Sequence, residues 1–153
     1  YVDMRPNDPN NIQLISEGNE PAYTPITAAQ LSGETVTMEV WASPDSDIST
    51  MQTFEYAHLA LSTSVSMENL LVTDVYTTKN EDSASKGAMT LTCKTTDGQY
   101  VSVRTVVLRD ANGDVITADA YRGKTISVYG IVDYFSGDYQ IKVFTPDDIV
   151  IVG

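Results

Sequence analysis

Residues 26–40 read ITAAQLSGETVTMEV, and residues 116–130 read ITADAYRGKTISVYG. The two stretches align without a gap at an offset of 90. Ile, Thr, Ala, Gly and Thr are identical, and Val36/Ile126, Thr37/Ser127 and Met38/Val128 are exchanged like for like. In a chain of 153 residues such a repeat constrains the fold more than any other feature, because the chain has room for two small related units and little else. Each copy carries a short segment that can begin a helix, then a glycine, then a β-branched alternating run. It reads as a helix end, a turn and a strand.

The surroundings of the second copy extend that reading. NLLVTDVY at 69–76 is a β-branched apolar run, followed by the polar loop TTKNEDSASKG. MTLTCK at 89–94 and YVSVR at 100–104 alternate with period two around the turn pair Asp97–Gly98, predicting an antiparallel hairpin. After Leu108, Asn112–Gly113 marks another turn and a short helical segment runs up to Gly123. TISVYGIVDYF and YQIKVF, joined at Ser136–Gly137–Asp138, predict a last hairpin. The order is strand, strand, strand, short helix, strand, strand, which is the order of the OB-fold, a small Greek-key barrel. Its inward set would be Met89, Leu91, Cys93, Val101, Val103, Ile126, Val128, Ile141 and Val143, with Gly130 as a bend or bulge.

Carried back by the same offset, the repeat places Ile12 and Leu14 in a third strand, YVDM at 1–4 in a second, and FEYAHLAL at 54–61 in a fifth, after the loop SPDSDISTMQ. The expected fold class is therefore all-β with one short helix per unit: tandem OB-like barrels. Residues 1–64 form a unit that lacks its first strand, and residues 65–153 form a complete five-stranded one. Either that strand lies before Tyr1 or another segment fills its place.

The run GKTISVYGIVDYFSGDYQIKVF, with NLLVTDVYTT and SVRTVVL before it, resembles the OB-fold modules of secreted or surface-anchored bacterial proteins, some of them joined to extracellular nucleases. The resemblance covers roughly residues 67–150. It implies a barrel, an extracellular or cell-surface location and an accessory, non-catalytic role. A chain opening at Tyr1 fits a processed or trimmed protein.

Charge narrows the partners. The net charge is -12, with -8 in residues 1–66 and -4 in residues 67–153. Generic capture of polyphosphate is disfavoured by such a surface, and only the second half has bases to offer. No apolar run approaches the roughly 18 residues that span a bilayer. The single cysteine, Cys93, has no partner in the chain for a disulfide and reads as a buried thiol.

An OB-fold binds ligands on the outer face of its second and third strands, between the loops after the first and fourth. Outward positions are Thr92, Lys94, Ser102 and Arg104, with Lys79 and Lys86 in one loop and Tyr134, Phe135 and Tyr139 in the other. The candidate ligand residues are Lys94, Tyr100, Arg104, Tyr134, Phe135 and Tyr139. Bases interleaved with aromatics suit single-stranded nucleic acid. Tyr129, Tyr134, Tyr139, Gln140 and Asp138 could instead serve an oligosaccharide, and another protein domain is a third partner class. DANGD at 110–114 resembles a calcium loop only at its start, since Val115 stands where glycine is needed and Tyr121 where a bidentate Glu belongs. No cofactor or metal is implied. Any triad would have to use His58, the only histidine, which the repeat assigns to the other unit from Cys93.

Overall fold

The computed structural model describes residues 6–153. Nine strands appear in chain order: β1 (Thr24–Pro25), β2 (Thr35–Trp41), β3 (Ser49–Glu55), β4 (Ser64–Thr77), β5 (Met89–Lys94), β6 (Tyr100–Thr105), β7 (Thr125–Phe135), β8 (Asp138–Val143) and β9 (Ile149–Ile151). Two one-turn helices, α1 (Ala28–Leu31) and α2 (Tyr56–Leu59), flank the β2–β3 hairpin. The chain is mostly β, as expected.

β4, β5, β6, β8 and β7 are neighbours in that order, and β7 returns to pair with β4, so the five strands close on themselves. All pairings in the circuit are antiparallel except β6 with β8. That parallel pair follows from the crossover that carries the chain from β6 past Ala118–Ala120 into β7. β4 serves both β7 and β5 by shifting register between Met67 and Leu70, where Asn69 takes φ 57. A bulge at a residue that tolerates the left-handed region bends one strand around the closure.

Period-two patterning decides what fills the interior. All nine residues of the expected inward set are buried, and all but Val101 fully so. Burying each large aliphatic side chain contributes about 1.5–3 kcal/mol. Ile26, Ala28 and Leu31 around α1, with Ala57 and Ala60 around α2, belong to this same core.

The repeat is repeated in three dimensions. Thr27 caps α1 and Thr117 precedes the 3-10 turn Ala118–Ala120, both in extended backbone, and Thr35 and Thr125 begin β2 and β7. Gly33 (φ 109) and Gly123 (φ 71) turn each corner in the left-handed region. The short crossover helix is a single 3-10 turn.

The first copy departs from expectation elsewhere. Ile12 and Leu14 lie in no strand and are exposed, just after a 3-10 turn at Pro9–Asn11 that Asp8 caps. YVDM at 1–4 lies outside the described residues. FEYAHLAL is not a strand over its length: β3 ends at Glu55 and α2 follows, because Ala57, Ala60 and Leu61 recur at helical spacing and the two alanines are buried. The strand β3 instead takes in the last four residues of the expected loop, from Ser49 on. Tyr56 N donates to Glu34 O at 2.8 Å, as Val72 N donates to Lys124 O at 2.9 Å ninety residues on from Glu34. The chain around β3 thus stands against β2 where β4 stands against β7. Among the described residues β2 and β3 form a separate two-stranded sheet and not a second closed circuit, while β1 pairs with β4.

Gly130 is not a bulge, since β7 keeps its register with β4 there, opposite Val65. A Cβ there would lie 2.2 Å from the Lys142 carbonyl oxygen, so the glycine permits β8 to run beside β7 at close range.

Candidate ligand cleft

β5, β6 and β8 turn alternate side chains out of the closed sheet. Thr90 opposes Arg104 across β5–β6, and Arg104 opposes Lys142 across β6–β8. With Gln140 on the same face of β8, these residues floor a cleft of about 830 Å³. One wall is the end of β4 and the loop after it, with Tyr76 and Thr78. The other is the β7–β8 turn, with Asp133, Phe135 and Asp138.

Arg104 is held in place. Its Nη1 donates to Thr90 Oγ1 at 3.1 Å and its Nη2 to Thr78 Oγ1 at 3.0 Å, tying the third strand to the loop after the first. Among the described residues no carboxylate pairs with it; the ion pair found there, Lys86 with Glu81, is in the loop. A guanidinium fixed by neutral hydroxyls keeps its charge available to an anion and does not have to be reoriented to meet it. Gln140 is buried, and its Nε2 donates to Asp133 Oδ2 at 2.8 Å. Its side-chain carbonyl remains an acceptor. Phe135 is 69% exposed beside these polar groups, a free aromatic face.

The six expected ligand residues separate into three places. Arg104 and Phe135 line the cleft. Lys94 and Tyr100 lie at the far end of the β5–β6 hairpin, where the ammonium sits 5.9 Å from the Tyr100 ring centroid, and Tyr100 borders Ala29 of α1 and its C-cap Ser32. Tyr134 and Tyr139 pack against each other at 5.0 Å between centroids on the first-copy side of the sheet. The Tyr139 hydroxyl is 3.3 Å from His58 Nδ1 on α2. Desolvation raises the Tyr139 pKa, and the neighbouring Glu55 carboxylate and then Tyr134 raise it further. Tyr139, with Tyr134 packed on it, joins the first copy to the closed sheet.

Lys142, Asp133 and Tyr76 were missed as site residues. The signal for Lys142 was its parity, one residue from inward Ile141 and Val143, combined with a fifth strand lying beside the third. Cys93 sits on the other side of β5, buried, with its thiol pushed up to about 12 by desolvation. Asp110 spends its carboxylate on the backbone N–H groups of Asn112 and Asp114, so DANGD is a self-capped turn. No helix among the described residues is long and apolar enough to cross a membrane.

No known protein family, curated protein or solved structure matches this chain.

Proposed function

We propose that residues 65–153 are an OB-fold barrel serving as a non-catalytic binding module of an exported bacterial protein, with residues 1–64 as a degenerate copy docked against it. The strand circuit supports the fold, since strands one, two, three, five and four neighbour one another in that order and close through one and four. The cleft lies on the outer face of the second, third and fifth strands, between the loops after the first and fourth.

The cleft takes a short oligosaccharide bearing an acidic group. The observation that carries this reading is the combination in one cleft of an Arg104 held only by threonine hydroxyls with Asp133, Asp138, Gln140 and the exposed ring of Phe135. The guanidinium meets a carboxylate in two-pronged fashion, the side-chain oxygens accept from sugar hydroxyls, and the ring packs against the apolar face of a sugar. A non-catalytic role is supported by a thiol that burial keeps protonated and by a histidine engaged with Tyr139 on another part of the surface.

Single-stranded nucleic acid is the second reading, favoured by the adjacency of Arg104 and Lys142 beside Phe135. Against it, two carboxylates share the cleft and the other expected bases and aromatics lie elsewhere. A glycan array paired with oligonucleotide anisotropy at two salt concentrations separates the two. Binding to uronic acid glycans that Arg104→Ala abolishes supports the first. A silent array with salt-dependent oligonucleotide binding transfers the cleft to the second, and silence in both contradicts both.

A further inference from the structure

Among the described residues the β2–β3 hairpin is a sheet with open edges. Ala42 N donates to Ile48 O at 3.0 Å and Glu34 O accepts from Tyr56 N at 2.8 Å, so even-numbered residues of β2 direct their backbone groups to β3. The N–H and C=O groups of Thr35, Thr37, Glu39 and Trp41 therefore point to the other edge, where no described strand pairs with them. In the second copy the corresponding edge is occupied: Thr125 O accepts from Val152 N at 2.8 Å, and β9 runs antiparallel beside Ile126–Val128.

The side chains define what the open edge would take. Val36, Met38 and Val40 share one face of β2; their counterparts Ile126, Val128 and Gly130 are all buried, whereas Met38 is 41% exposed. Trp41, on the opposite face with Glu39, is 53% exposed. Glu34 and Glu39 lie at or beside the edge, and the chain has no Lys or Arg between Arg5 and Lys79. A second copy of this hairpin would bring like charges together. A cationic strand is complementary.

We propose that the Thr35–Trp41 edge accepts an extended segment of another polypeptide, antiparallel to β2, apolar at alternate positions and carrying Lys or Arg between them. Main-chain hydrogen bonds to the four odd-numbered residues give the register. The apolar set covers Val36 and Met38, and the basic set lies over Glu39. The site is separate from the cleft and does not depend on what the cleft binds.

The test is a labelled, capped peptide alternating valine with lysine, titrated into the full chain at low salt. Saturable binding is expected, weakened by added salt, with a valine–glutamate peptide failing to bind. Thr37→Pro removes one edge N–H without touching the β2–β3 ladder, and Glu39→Lys reverses the charge; each is expected to weaken binding about tenfold or more. Circular dichroism checks that both variants keep the native strand signal. Arg104→Ala leaves peptide binding unchanged. The proposal is overturned if the valine–lysine peptide does not bind at low salt. Indifference to both Thr37→Pro and Glu39→Lys also overturns it, as does loss caused by Thr53→Pro, on the outer edge of β3, in place of Thr37→Pro.

Discussion

A Cβ on Gly130 would stand 2.2 Å from the carbonyl oxygen of Lys142, so the backbones of β7 and β8 meet at a distance that only glycine allows. The corresponding residue of the first copy is Val40. β8 runs beside β7 there as its antiparallel neighbour, Ile131 opposite Lys142, and among the described residues the first copy, with Val40 in the matching place, has no such strand beside β2.

Gly130→Ala is therefore expected to lower stability by about 3 kcal/mol or more, because the obstacle is backbone and cannot swing away. Val40→Gly is expected to cost only about 1 kcal/mol, through lost strand propensity and partial burial. Urea midpoints of the two variants check this. Equal losses would contradict the close-approach account.

Cys93 sets an alkaline limit. Its thiol pKa is pushed from 9.0 to about 12 by burial, so the folded chain keeps a proton that the unfolded chain releases. The contribution is fully present below pH about 9 and is lost as pH rises toward 12, at about 1.4 kcal/mol per unit. Tyr121, raised from 10.0 by burial, adds to the loss only at higher pH. Denaturant unfolding between pH 8 and 10 should show the decline in the wild type and a flat profile in Cys93→Ala, whatever its absolute stability.

Thr27 and Gln30 form a reciprocal cap on α1: Gln30 N donates to Thr27 Oγ1 at 3.1 Å and Thr27 N to Gln30 Oε1 at 2.9 Å. Because α1 and α2 contribute Leu31 and Ala57 to the common core, Thr27→Ala should cost about 1 kcal/mol in a single unfolding transition. A separate early transition for the first copy would show that its packing against the closed sheet is not cooperative.

Arg104→Ala removes two hydrogen bonds that tie β6 to Thr90 and Thr78. In a half-exposed setting the expected loss of stability is about 1 kcal/mol. Arg104→Lys keeps the charge and loses the fork. It is expected to retain the fold and to weaken acidic-glycan binding about tenfold, read by isothermal titration calorimetry, and unchanged affinity would remove the two-pronged contact from the account.

Much of the second copy was legible because its strands alternate with period two: Met89, Leu91 and Cys93 against Thr90 and Thr92 reveal both faces of β5 without any structure. The repeat located two matching corners because Thr, Gly and Thr are what a cap, a left-handed turn and a strand start each need. Tyr56–Leu59 was misread because an apolar run this short carries strand and helix periods together, and burial of Ala57 and Ala60 decides between them. The site was legible only in part. Tyr134 and Tyr139 look like ligand residues in one dimension, but Tyr134 packs on Tyr139, whose neighbours are His58 and Glu55, more than eighty residues earlier. Lys142 became part of the cleft only through the parallel pairing of β6 and β8, a contact that no local pattern encodes.

The most direct test of the central claim is a two-dimensional amide NMR titration of the whole chain with a trisaccharide containing a uronic acid. The account predicts saturable shifts at Thr78, Ser102, Arg104, Gln140 and Lys142, around the cleft of about 830 Å³, and their loss in Arg104→Ala. Shifts centred on Lys94 and Tyr100, or on Tyr134 and Tyr139, with the cleft unperturbed, would contradict it.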